Sequence, residues 1–301
     1  MKGIIIGFGN MGKTHLERYR QLGVNICAVI ENDGIKRQQA DSEHIPTFNS
    51  LSEVPDLDDI GFIDICTPTN FHFRNLLDAM FYRKPIFVEK PIVLTNEEAA
   101  QLRRIEYHHP IFVGEVEQYN PDLEKFMRYE GRPRVINMSR RVNLEFFLQG
   151  ATPWFLDESL SGGIVLDTMI HDINLLVTKY GKPQIREVVS RAKRYRCQDE
   201  VEAKLSFGEL EANLYCTWTA EDLLETPIVV DIEVIEKDGN PANFHCDNYI
   251  IRGKPKEKDA FYMEFKAFLD SIREGRTPYG LESYLVGIEV ANEIRGMMVK
   301  T

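Results

Sequence analysis

The sequence lacks an excess of positive charge, any paired-cysteine motif and any unbroken apolar run of membrane-spanning length. Lys and Arg number 36 against 47 Asp and Glu, a net charge of −11. That balance excludes the basic footprint of a nucleic-acid-binding domain and gives no attraction to anionic membranes. No apolar run approaches the ~20 residues that cross a bilayer. The opening Met-Lys-Gly-Ile-Ile-Ile-Gly has too short an apolar stretch for a secretory signal. The five cysteines, Cys27, Cys66, Cys197, Cys216 and Cys246, show no Cys-x-x-Cys spacing. Neither a zinc site nor a disulfide framework is expected, and the thiols read as reduced in a cytoplasmic protein. The seven histidines do not cluster at ligand spacing, so no metal is expected. No repeat or low-complexity linker interrupts the chain, whose 301 residues leave room for two domains.

What is present begins at the first residues. Lys2 to Ile6 reads as a buried strand, and a helical pattern to about Leu22 follows Gly7-Phe8-Gly9-Asn10-Met11-Gly12. A G-x-G-x-x-G run between strand and helix is a dinucleotide fingerprint. Its glycines give the tight turn, the close approach of pyrophosphate and the helix–strand packing, and the helix N-terminus offers unpaired N–H groups. The next strand, Asn25 to Ile30, ends at Glu31, placed to accept ribose hydroxyls and repel a 2′-phosphate. NAD is favoured over NADP, with Lys36 and Arg37 close by. Strands at 61–66, 85–88 and 111–114 alternate with helices at 71–82 and 96–107, which specifies a parallel, doubly wound sheet. Ligands bind beyond the carboxyl ends of such strands, where Cys66 to His72 and Glu89-Lys90-Pro91 fall. Lys90 therefore stands beside the expected nicotinamide end.

A second stretch carries polar groups of another kind. In Gly162 to Val177 the residues Leu166, Met169, Ile170, Ile173, Leu176 and Val177 make an apolar helical stripe. Asp167, His171 and Asn174 share another side, spaced four and three apart. A carboxylate one turn before an imidazole can accept its N–H and raise the basicity of the other nitrogen. The spacing predicts that Asp167 orients His171.

Together these segments resemble the Gfo/Idh/MocA family of nicotinamide-dependent oxidoreductases. The matching pieces are GFGNMG at 7–12, Glu31, CTPTNFH at 66–72, EKP at 89–91 and GGIVLDTMIHDINLL at 162–176. The resemblance implies that Lys90 touches substrate and nicotinamide, and that Asp167 and His171 are the acid/base pair. It also implies that Thr67, Pro68, Asn70, His72, Glu89 and Pro91 line the cofactor. Gly114 to Pro121 looks like the family's crossover, with Gln118 counted among the cofactor residues, and its form is similar to the nucleotide-sugar 3-dehydrogenase branch. The implied reaction is hydride transfer between nicotinamide and a secondary hydroxyl or keto group of a sugar, nucleotide sugar or cyclitol. Two alternatives stand beside it: a non-catalytic NAD-sensing regulator of the same fold, and a reductase of a non-sugar carbonyl.

The expected fold is α/β, with a Rossmann domain over 1–118 and an α+β substrate and oligomerisation domain over 119–301. The second domain alternates apolar and polar residues. Val201, Ala203, Leu205 and Phe207, then Leu210, Ala212, Leu214, Cys216 and Trp218, flank a turn at Gly208-Glu209, the pattern of a hairpin with one apolar face. Ile228 to Val234, 135–142 and 187–194 are further strands of an open, mostly antiparallel sheet. The 162–177 helix is expected on one face. Trp218, Tyr215 and Tyr195 suggest an uncovered apolar patch on the other, and such patches mark association. The resemblance likewise implies a homodimer or homotetramer through this sheet. Arg128, Arg132, Arg134, Arg140 and Arg141 form a basic cluster, of which one or two are candidates to grip a substrate diphosphate. Trp154 is placed either over a ligand ring or in the core. Helices over 260–274 and 283–299 close the chain.

Overall fold

The computed structural model describes residues 1–148, 153–247 and 259–298. Its first half alternates β1 (Lys2–Ile6), α1 (Asn10–Gln21), β2 (Asn25–Ile30), α2 (Gly34–Ser42), β3 (Thr47–Phe48), β4 (Phe62–Ile65), α3 (His72–Phe81), β5 (Ile86–Glu89), α4 (Asn96–Arg104) and β6 (Ile111–Gly114). The strands form a parallel sheet in the order β3-β2-β1-β4-β5-β6. The chain reverses direction between β1 and β4, which opens a crevice at their carboxyl ends. Strands β4, β5 and β6 are buried at every position, as a sheet covered on both faces requires. The short edge strand β3 and helix α2 carry little apolar periodicity, and the sequence pattern gives no sign of them. Helix α4 begins with a capping box, the Thr95 hydroxyl accepting from the Glu98 N–H and the Glu98 carboxylate from Thr95 N–H.

The second half contains α5 (Pro121–Met127), β7 (Pro133–Val142), α6 (Glu145–Leu148), α7 (Glu158–Ser161), a π-helical turn at Val165–Met169, α8 (Ile170–Tyr180), β8 (Gln184–Arg191), β9 (Glu200–Phe207), β10 (Leu210–Thr217), β11 (Ile228–Glu236), β12 (Pro241–Cys246), α9 (Ala260–Glu274) and α10 (Leu281–Met297). The expected end of the last helix at Val299 lies outside the described residues. The sheet order is β12-β11-β7-β10-β9-β8, with β7 and β10 parallel and the other pairs antiparallel. Helix α8 lies in the core on its inner face, with Ile173, Leu175 and Leu176 fully buried. The run Glu158–Tyr180 is apolar and long enough to span a bilayer by composition, but 83% of its most apolar window is buried inside the protein. It is the central helix of a packed domain. Helix α9 returns to the first sheet, where Phe265 and Phe268 pack with Phe62, Phe87 and Phe112.

The outer face of the second sheet is polar, which corrects the expectation of an apolar patch. It carries cross-strand pairs such as Lys204 to Glu187 (2.6 Å), Arg191 to Glu202 (2.6 Å) and Asn137 to Glu233 (2.7 Å). Tyr215 is half-buried there and donates to Glu200 (2.8 Å). Trp218 is on the opposite side, buried, with its indole N–H on the Thr168 hydroxyl at 2.7 Å. The period of two explains this: Trp218 continues the inward series Ala212, Leu214, Cys216.

Candidate active site

A crevice of about 1590 Å³ runs between the carboxyl edge of the first sheet and the inner face of the second. Ligand sites usually span about 300–1,000 Å³, so this one has room for a dinucleotide and a second molecule. The glycine-rich loop forms one end. Gly7 adopts φ +92°, and a Cβ at Gly12 would stand 2.3 Å from the Gly7 carbonyl oxygen, so both positions demand glycine. A Cβ at Gly9 would meet no atom within 4 Å, and no side chain caps the start of α1. The loop thus leaves open space and uncapped N–H groups where a pyrophosphate would lie, and the residues fit a dinucleotide. Glu31 closes that end. Its carboxylate accepts from the backbone N–H groups of Phe8 (2.9 Å), Asn32 (2.8 Å) and Asp33 (2.9 Å), which fixes it at the tip of β2.

Of the residues expected at the cofactor, Gly7, Gly9, Asn10, Met11, Glu31, Thr67, Pro68, His72, Glu89 and Lys90 line this crevice. Phe8 turns its ring into the core and contributes its backbone to the loop, while Gly12 packs beneath Gly7. Asn70 and Pro91 are not on the wall. Gln118 is a correction. It is buried, its amide donating to Thr178 (3.1 Å) and accepting from Tyr284 (2.5 Å), and it joins α8 to α10 away from the crevice. His72 lies buried between the carbonyl oxygens of Pro91 and Thr67, 2.8 Å from each. Burial holds its pKa below the ordinary imidazole value, despite the two carbonyls that favour a charged ring. The neutral ring donates to one of them and pins the two loops that carry Thr67 and Lys90.

At the middle of the crevice Lys90, Asp167 and His171 meet on one wall. Their partnering differs from the sequence expectation. The His171 Nδ1 is hydrogen-bonded to Glu115, and the second Glu115 oxygen accepts from the Asn174 amide at 2.7 Å. Glu115 is fully buried at the end of β6. Burial works against its charge, yet His171, Asn174 and Lys90 outweigh that and hold its pKa below the usual carboxylate value. Asp167 instead faces Lys90: the ammonium donates to the Asp167 carbonyl at 2.6 Å and lies 3.4 Å from its carboxylate. Thr168 donates to the other Asp167 oxygen at 3.0 Å. The physical reason is the π-helical turn Val165–Met169. Its extra residue per turn breaks the i, i+4 stacking of an α-helix and presents a backbone carbonyl outward. The Lys90–Pro91 peptide is cis.

Glu115 was missed in the sequence because its partner lies 56 residues away. The available signal was its place at the ligand edge, directly after a buried strand, like Glu89 and Lys90. Asn174 reaches Glu115 where Gly287 of α10 passes close by; a Cβ there would be 2.2 Å from the Asn174 side-chain oxygen.

The arginine cluster does not converge on the crevice. Arg140 lines it but is fully buried, in a two-pronged contact with Asp172 (2.8 and 3.0 Å) and a third bond to Glu117. Arg141 pairs with Asp222 at 2.7 Å on the surface, and Arg128 with Glu124 on its own helix. Trp154 is half-buried and lines the crevice.

Comparison with known proteins agrees with this geometry. Residues 1–113 match the model of the oxidoreductase family with an NAD-binding Rossmann fold, and residues 130–233 match the GFO/IDH/MocA C-terminal domain. A UDP-N-acetylglucosamine 3-dehydrogenase of Acidithiobacillus ferrooxidans is 25% identical over 186 residues, covering 60% of this chain and 55% of that protein. An inositol 2-dehydrogenase of Corynebacterium glutamicum is 30% identical over 134 residues, 41% of this chain and 39% of the relative. The matches to such curated relatives thus span about half of their length or less. Among solved structures, a myo-inositol dehydrogenase of Corynebacterium glutamicum superposes with a TM-score of 0.80 at 17% identity, over 99% of this chain and 96% of that one. At that identity the likeness is one of fold.

Proposed function

The chain belongs to the Gfo/Idh/MocA oxidoreductases, and we propose that it transfers hydride between NAD and a secondary hydroxyl or keto group of a sugar or cyclitol. The observation that carries this reading is the meeting of Lys90 and the His171–Glu115 pair in the crevice that the glycine-rich loop opens. Bound nicotinamide would supply the hydride acceptor. The residues of the chain supply position and proton control. Glu115 takes the Nδ1–H of His171, which leaves Nε2 as the basic nitrogen; no partner for Nε2 is found among the described residues. That nitrogen removes the proton of the substrate hydroxyl, and the buried Glu115 carboxylate stabilises the imidazolium that forms. Lys90 has N–H groups beyond those given to Asp167 and directs one at the substrate oxygen, where negative charge develops. Asp167 holds that ammonium in place through its carbonyl and carboxylate.

Glu31 supports NAD over NADP. A carboxylate fixed by three backbone N–H groups keeps lone pairs for ribose hydroxyls and repels a phosphate. The cysteine thiols, none in a disulfide among the described residues, suit a reducing cytoplasm. Homo-oligomer formation through the second sheet stays part of the proposal, resting on the family likeness of this domain.

The test is absorbance at 340 nm on mixing the protein with NAD⁺ and a panel of free sugars, methyl glycosides, inositols and UDP-sugars. Reduction with at least one ring alcohol is expected. Tight NAD⁺ binding without reduction across the panel would favour a sensor and overturn the enzymatic reading.

A further inference from the structure

Beyond the acid/base groups the crevice continues between the two sheets, and its lining changes character. On the second-domain side the wall is built by Val142, Leu144, Phe146, Phe147, Trp154 and Ile228. These come from the end of β7, from α6, from the short turn Pro153–Leu156 and from the start of β11. Val142 and Leu144 are buried in the core, whereas Phe146 and Trp154 are only half-buried. Phe147 and Ile228 are half-buried against the core, with the rest of their surface on the crevice.

The polar groups on the same wall are already committed. Arg140 is held by Asp172 and Glu117. Thr168 accepts from Trp218 and donates to Asp167. The Asn120 amide donates to the Cys246 sulfur at 3.1 Å, and its oxygen caps α5. Among the described residues, Lys90 is the one cation on this part of the wall that reaches the crevice without a full set of carboxylate partners. A diphosphate placed here would meet paired groups and hydrocarbon, and its desolvation would go uncompensated. An apolar or aromatic group would bury surface against the open parts of Phe146, Phe147, Trp154 and Ile228.

Resting on the hydride-transfer reading above, we propose that the substrate is a ring alcohol carrying an apolar substituent, most simply an aryl or alkyl aglycone, which lies on the Phe146–Phe147–Trp154 wall. The hydroxyl to be oxidised then faces His171 and Lys90. The substituent both excludes water and orients the ring.

The test compares three series on the same sugars, glucose, galactose and N-acetylglucosamine: methyl glycosides, phenyl glycosides and UDP-sugars. Initial rates of NAD⁺ reduction give kcat/KM for each. The phenyl member of the preferred sugar is expected to exceed the methyl member by about tenfold or more, the discrimination that an added apolar group supplies in a fitted pocket. Phe147→Ala is expected to reduce the phenyl-to-methyl ratio to near unity. Its partial exposure makes a folding failure avoidable, and an unchanged circular dichroism melt checks that. Equal rates for phenyl and methyl glycosides, or a UDP-sugar preferred over both, would overturn the inference while leaving hydride transfer intact. If no compound is turned over, the hydride-transfer reading fails first. Calorimetric binding of the phenyl glycosides to the NAD⁺-loaded protein then decides the present inference: binding tighter than for the methyl glycosides supports it, and no difference overturns it.

Discussion

Two buried histidines among the described residues sit against carboxylates, and of the two only His171 lines the crevice. His15, on α1, is fully buried beneath the glycine-rich loop. Its Nδ1 lies 2.8 Å from Asp64 and 3.0 Å from the Cys66 sulfur, and its Nε2 lies 3.0 Å from Glu89. Burial disfavours the charged ring, but Asp64 and the Cys66 sulfur outweigh it and raise the His15 pKa well above the ordinary value. The ring is an imidazolium strut with both nitrogens used. It ties α1 to the ends of β4 and β5, and so fixes the backbone next to Lys90. His171 has one carboxylate, on Nδ1, and lines the crevice. The difference between the two is here one ring nitrogen with no protein partner among the described residues, on a residue that reaches the crevice.

Three substitutions sharpen or break that contrast. The largest effect on activity is expected for His171→Ala, which should lower kcat by about 10²–10⁴, read on protein whose folding is checked, since the buried Glu115 also loses its partner. Turnover close to the parent's would show that the crevice histidine is as structural as the core one.

His15→Gln should act on stability instead. It leaves Asp64 and Glu89 buried without their cation, a change that costs about 3–5 kcal/mol. The pH dependence has a definite sign. A histidine whose folded pKa is raised contributes stability that is fully present below the unfolded value of about 6.5 and is lost as pH rises through the folded value. The gap in chemical stability between parent and variant, read from urea melts between pH 7 and pH 10, should therefore narrow toward alkali. A gap that widens would refute the imidazolium assignment.

The smallest of the three is Glu115→Gln. Losing the carboxylate that orients a metal-bound imidazole costs about 10–100-fold, and a kcat loss of that order is expected here, with KM for the substrate little changed. Glu115 also has the opposite pH sign. Its lowered pKa contributes stability above the usual carboxylate range that is lost as pH falls through the folded value. Acid should therefore loosen the crevice pair and alkali the core strut. An unaltered kcat in Glu115→Gln would return the orienting role to Asp167, where the helical spacing had placed it.

The first sheet was legible in the chain because each of its main strands is a short apolar run followed by glycine or polar residues at the ligand edge. The six-strand order emerged with β3 and α2 added, two elements too short or too polar to mark themselves. In the second sheet the alternation gave the hairpin at Gly208-Glu209 and the inward face. It did not give β12, whose outward residues Asn243 and His245 hide the period. At the site, Lys90, Asp167 and His171 could be named from local context, since each sits where its own element ends or turns.

Their partnerships could not be read that way. The π-helical turn that sends Asp167 to Lys90 depends on packing around Val165–Met169, and Glu115 reaches His171 only once β6 and α8 are side by side. The Arg cluster shows the same limit, because charge in sequence is local while neutralisation by Asp172 and Glu117 is a matter of neighbours in space. By itself, then, the sequence determined which side chains are candidates for the chemistry and which strands and helices bear them, since those follow from short-range periodicity and turn residues. Tertiary structure alone decided who holds whom, since a hydrogen bond depends on the position of two groups that the chain may separate by any length.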